Sequence, residues 1–161
     1  MDKYQNIVVV DVAIVAKEIG FNEICKVSYT EYLKDGDGQF HDTEYKAGEI
    51  YYGDQFVGRN KDYPRTYYYE QYAAPTVTNY ELWLQRNHGF VVWCVPEEVD
   101  GHFSHFRVCL QHPSWPLKKH FGIMRKEQDK YVEVRFDSFI KAKNYGLWKA
   151  SQLVKRGSVL N

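Results

Sequence analysis

A chain of 161 residues can bury a core without disulfide or metal staples, and its hydrophobic fraction of 44% is that of an ordinary globular domain. Its 21 basic residues cancel its 21 acidic ones, which removes the global electrostatic footprint of a nucleic-acid binder while leaving room for a local basic patch. The longest apolar run, around Ile7 to Val10, is far too short to span a bilayer.

The first periodic segment is a helix over 11–19. Val12, Val15 and Ile19 share its face, Asp11 is placed to cap it and Gly20 to close it. Residues 28–72 are rich in Tyr and mixed with Gly, Asp and Lys, and neither the helical nor the strand period holds for long. Asp35-Gly36-Asp37-Gly38 marks a turn there. Gln39 to Tyr45 and Glu49 to Val57 are candidate short strands, within a segment expected to cover the domain as irregular structure. Ala74-Pro75-Thr76 leads into a second helix over 77–88, with Val77, Tyr80 and Leu84 on one face and Gly89 as its stop. Phe90 to Val95 reads as an apolar strand and Pro96 to Gly101 as a turn. In the next strand Phe103, His105, Arg107 and Cys109 alternate with Ser104, Phe106, Val108 and Leu110. A second hairpin is expected from Phe121–Arg125 and Tyr131–Phe136 around Glu127-Gln128-Asp129.

The last helix spans 138–156. Asp137 is its expected cap. Lys155 and Arg156 suit the negative end of its dipole, and Gly157 suits the positive φ of a helix stop. Phe139, Ala142, Gly146, Ala150 and Leu153 recur at helical spacing, so Ala142, Gly146 and Ala150 are expected to lie tightly on a sheet. Strands clustered between helices make this an α+β chain: one domain over 1–161, with an antiparallel sheet of short strands packed by three helices.

Chemistry-bearing motifs are scarce. Counted from Asp35, the sixth and twelfth positions of a calcium loop hold Phe40 and Lys46 instead of Gly and an acid. The six His residues lack helical metal-ligand spacing, and Cys25, Cys94 and Cys109 form neither a C-x-x-C pair nor a disulfide framework. No signal peptide is evident, so a reducing cytoplasm is the expected compartment. Nucleophile-elbow, P-loop and dinucleotide motifs are absent, and Glu97-Glu98 reads as a solvated pair in a turn. The expectation is a non-enzyme without metal or cofactor. Its candidate binding residues are Arg65, Tyr67, Tyr68 and Tyr69, because aromatics beside basic residues serve both protein interfaces and nucleic-acid stacking.

Three stretches carry a resemblance. Val12 to Glu23 resembles an opening helix followed by a Gly-Phe-Asp/Asn-Glu turn. Ala74-Pro75-Thr76 with Trp83 to Gly89 resembles an "Ala-Pro-Thr … Trp-Leu-Arg-x-x-His" helix. Asp137-Ser138-Phe139 through Ala142, Gly146-Leu147, Ala150 and Leu153 resembles an "Asp-Thr-Tyr-x-x-Ala … Gly-Leu-x-x-Ala-x-x-Leu" ending. Together they are similar to a family of small, functionally unassigned proteins of phages and prophages of gut Bacteroides-type bacteria. The resemblance implies an accessory protein that binds a host or phage protein. The alternative is a nucleic-acid-associated factor of a mobile element. It implies no catalytic residues, and the long Tyr-rich segment is a departure from the family pattern.

Overall fold

The computed structural model describes residues 6–34, 41–48, 67–121, 123–127 and 130–157, with side chains at 6–29, 72–119 and 135–157. Among these, three helices and antiparallel strands give an α+β architecture. The chain divides into two compact units, Met1–Thr76 and Val77–Asn161.

In the first unit, α1 (Val10–Glu18) buries Val12, Ala13, Val15 and Ala16; of the expected face Val12 and Val15 are buried, while Ile19 is the C-cap and only partly buried. Its cap differs from expectation. Val9 is the N-cap and makes no side-chain bond, whereas Asp11 sits in the first turn, where its charge suits the dipole. The helix ends in a Schellman arrangement: Phe21 N–H donates to Ala16 O at 2.9 Å and Gly20 N–H to Lys17 O at 3.1 Å. Gly20 has φ +92°, a conformation that a side chain would strain. Three strands follow: β1 (Ser28–Lys34), β2 (His41–Gly48) and β3 (Tyr67–Ala73), with β1 in the centre. Both pairings are antiparallel, and Ser28 stands opposite Gly48 and Ala73. Much of the Tyr-rich segment therefore forms strands, where an irregular cover was expected. Tyr is a strong strand former, and pairing with distant strands overrides the lack of clean alternation. Glu49 to Val57 lies outside the described residues. The Tyr29 hydroxyl donates to Val8 O at 2.9 Å and Val8 N–H to Pro75 O at 3.0 Å, which ties the segment before α1 to β1 and to the end of the unit.

The second unit runs α2 (Val77–His88), β4 (Val91–Val99), β5 (His102–Gln111), β6 (Lys119–Phe121), β7 (Ile123–Glu127), β8 (Lys130–Val134) and α3 (Phe139–Lys155). Strands β4, β5 and β6 form one antiparallel sheet, and β7 and β8 form a hairpin. The expected turn over Pro96 to Gly101 shrinks to two residues. Asp100 (φ +52°) and Gly101 (φ +76°) make the reversal, and Pro96, Glu97 and Glu98 belong to β4. Asp-Gly is the sequence signature of such a two-residue hairpin, and Pro is tolerated in β4 because this strand lies at the sheet edge.

Helix α3 lies on this sheet. Ala142, Gly146, Leu147 and Ala150 are buried. A Cβ built on Gly146 would clash with Val92 Cγ1 and lie 3.0 Å from Val108 Cγ1, so only glycine permits this approach. Asp137 does not cap α3: Ser138 is the N-cap, without a side-chain bond, and Asp137 instead accepts from Lys141 Nζ at 3.0 Å. Across the core Ser151 Oγ donates to Leu147 O at 2.8 Å, which leaves it to accept from the Tyr80 hydroxyl at 2.7 Å. Burial pushes the Tyr80 hydroxyl far above the ordinary tyrosine range, against a small downward pull from that bond.

Candidate interaction surface

The β4–β5 register sets Trp93 opposite Cys109, Val95 opposite Arg107 and Glu97 opposite His105. These six residues share one face of the sheet. Val92 and Val108 occupy the other face, which α3 seals at Gly146. The outer face is partly bare: Trp93 is 44% exposed, Val95 45% and Val99 53%. Single exposed apolar residues are common, and three of them along one strand make this face the candidate contact surface.

One lysine, Lys118, borders the line, whereas Lys119 stands opposite Leu110 on the α3 side of the sheet. The Lys118 ammonium lies 4.5 Å from the centre of the Trp93 ring and the Lys119 ammonium 4.3 Å from that of Trp115, both within cation–π range. Trp115 is fixed from behind by Phe90 at 5.5 Å and His112 at 5.8 Å between ring centres. The turn beneath it is closed by Trp115 N–H donating to His112 O at 2.9 Å, while His112 Nδ1 lies 3.1 Å from Ser114 N and 2.6 Å from Ser114 Oγ. The main-chain N–H can only donate, so Nδ1 accepts and Nε2 carries the proton. Trp115 Nε1 is buried without a hydrogen-bond partner among the described residues.

At the hairpin end Glu97 holds two partners. Its Oε2 is 3.1 Å from His105 Nε2, and its Oε1 pairs with the Arg107 guanidinium. His105 Nδ1 in turn lies 3.1 Å from Ser104 Oγ. The register shifts here, so that Glu98 faces Phe103. That shift turns Phe103 onto the helix side, where its ring lies 4.9 Å from Phe106. The Ser104–His105–Glu97 chain has the order of a proton relay, but Arg107 shares the carboxylate, and the whole set bridges β4 and β5 at the bulge. Its physical effect is to fix the hairpin where the pairing slips. Glu97, read from sequence as a solvated turn residue, is thus a strand residue clasped by two partners. The alternation of His105 with Arg107 was visible in the sequence; their shared carboxylate across the strand was not.

Behind the sheet, Lys143 is buried and donates to Glu81 Oε1 and to Val92 O, each at 2.6 Å. Nothing in the helical spacing of α3 distinguishes this lysine from a solvated one. With Pro96, which lacks an N–H, the bond to Val92 O blunts the edge of β4 against strand addition. Near this pair, burial pushes the Cys94 thiol up to about 11, against the pull of the Lys143 ammonium. At neutral pH it stays protonated and is not a poised nucleophile.

Of the candidate binding residues, Arg65 lies outside the described residues, as do the side chains of Tyr67, Tyr68 and Tyr69. The backbone of those three opens β3, opposite Lys34, Leu33 and Tyr32. Among the described residues no group of three His, Cys, Asp or Glu side chains is placed to hold a metal ion, and no helix is long and apolar enough to cross a membrane. No protein-family model matches this chain, and neither curated proteins nor solved structures give a similar one.

Proposed function

We propose that this chain is a non-catalytic accessory protein of the phage or prophage type, working in a reducing cytoplasm by binding a protein partner. The observation that carries the reading is the exposed line Trp93, Val95, Val99 on a sheet face whose reverse is sealed by α3. An exposed tryptophan among aliphatic side chains suits a protein interface. Three free cysteines and the resemblance of the chain's ends and middle to phage-borne proteins support the setting.

The test compares wild type with Val95→Asp in pull-downs from host and phage-infected lysates. Loss of specific partners at unchanged melting temperature supports the reading, and identical partners overturn this surface. Arg65, Tyr67, Tyr68 and Tyr69 are the second set of residues to test, through a Tyr67→Ser, Tyr69→Ser double variant. A nucleic-acid role would draw on the exposed Trp93 ring and the Lys118 ammonium over it. Steeply salt-dependent binding of single-stranded DNA or RNA would favour it over a protein partner.

A further inference from the structure

We infer that the free edge of β4 is a latent self-pairing edge: Lys143, held by Glu81, and Pro96 together keep it from adding β4 of a second copy of this chain. The alternation of an antiparallel pair settles which main-chain groups face outward. Phe106 stands opposite Pro96, and its N–H turns away from β4 to reach Phe136 O at 2.8 Å. Pro96–Phe106 is therefore a non-hydrogen-bonded pair, and at steps of two residues so are Cys94–Val108 and Val92–Leu110. Their β4 members direct their main-chain groups to the open edge of the sheet. Both guards act on those groups. The Lys143 ammonium sits 2.6 Å from Val92 O, in the place that the N–H of an added strand would have to take. Pro96 has no N–H to offer. Cys94, between them, is spared both restrictions. A strand added across Val92, Cys94 and Pro96 must displace a buried ammonium and leave one of its own acceptors unpaired.

Stability alone does not account for Lys143. A buried ion pair gains little over apolar side chains of similar volume, whereas no apolar side chain could occupy the Val92 carbonyl. What the guards hold back is written in the sequence. Phe90 to Val95 is an uncharged run of Phe, Val, Trp and Cys without Pro or Gly, the composition of segments that pair with copies of themselves. Five of its six residues lie in an edge strand, and Trp93 and Val95 leave one face of that strand open to solvent. A two-fold axis sets two identical edges antiparallel, so a second copy meets β4 with a segment of the same composition.

The experiment is sedimentation velocity of the full chain across a concentration series. It compares wild type with Lys143→Met, Glu81→Leu, with Pro96→Thr, and with all three changes together. Pro96 is exposed, so its replacement leaves the core intact. Removing either guard should tighten self-association roughly tenfold, the factor that one or two recovered hydrogen bonds supply, and the triple variant should associate more tightly still. Hydrogen exchange should slow within Val91–Val99 as the copies associate. Variants that melt cooperatively yet associate no more than wild type overturn the inference, as does association that brings no new protection to β4. If Lys143→Met, Glu81→Leu does not melt cooperatively, Pro96→Thr alone decides. Tighter association with β4 protected then upholds the latent edge, and unchanged association overturns it. No partner enters this test, so its failure leaves the proposed protein-binding face standing, and failure of the lysate pull-down leaves the edge standing.

Discussion

Individual side chains carry the most specific consequences of this fold. Gly146 is the point where α3 meets the sheet. Alanine there gains helix propensity of about 1 kcal/mol but drives a methyl group into Val92 and Val108. Overpacking of this kind costs about 1–3 kcal/mol, so Gly146→Ala should melt below wild type, and Val92→Ala should recover part of the loss in the double variant. Lys143 is the second such residue. Lys143→Met strands a half-buried Glu81 carboxylate and an unsatisfied Val92 carbonyl. Breaking a buried pair costs about 3–5 kcal/mol. Chemical denaturation should show that loss, and Lys143→Met with Glu81→Leu should be less damaging than Lys143→Met alone. The small-residue stripe that marks Gly146 is legible in the sequence, because close approach leaves a compositional trace. Lys143 is not, because its partners lie 62 and 51 positions away and no local pattern encodes them.

At the scale of elements, the sequence shows which segments are helices and where most strands fall, but not their ends. Asp11 and Asp137 have the chemistry of caps, yet Val9 and Ser138 occupy those positions without side-chain bonds. Pro96 reads as a breaker in isolation, and only its edge position makes it compatible with β4. The hairpin itself rests on Asp100 and Gly101, both at positive φ. A residue with a Cβ in that conformation costs about 1–2 kcal/mol, so Gly101→Ala should lower the melting temperature, and an unchanged melt would show that the turn relaxes freely. The Tyr-rich strands are the least legible elements: their pairing is long-range, and their backbone register became apparent only with β1 placed between β2 and β3.

At the scale of the whole molecule, two properties follow from where groups are buried. The first is alkaline sensitivity. Burial raises Cys25 and Cys94 from 9.0 to about 11. Between those values the unfolded chain releases thiol protons that the folded chain keeps, so their contribution is present in full below pH 9 and is lost as pH rises towards 11. Denaturation midpoints should fall over that window, and Cys94→Ser should fall less steeply; a flat profile would show that both thiols reach solvent when folded.

The second property is the autonomy of the unit that begins at Val77. Its core draws on Tyr80, Leu84, Phe90, Val92, Val108, Leu110, Leu147 and Ala150, all nearly or fully buried and all within residues 77–161. Its internal bonds include the Tyr80–Ser151 and Lys143–Glu81 contacts, which join α2 to α3. A segment that supplies both sides of its own core meets the physical requirement for independent folding. The polypeptide 77–161 should therefore unfold cooperatively when expressed alone, with coincident transitions by circular dichroism and tryptophan fluorescence. Gly146→Ala should lower that transition by about the same free energy as in the full chain, because Gly146, Val92 and Val108 all lie inside it. A fragment with secondary structure but no cooperative melt would show that this core is incomplete without the residues that precede it.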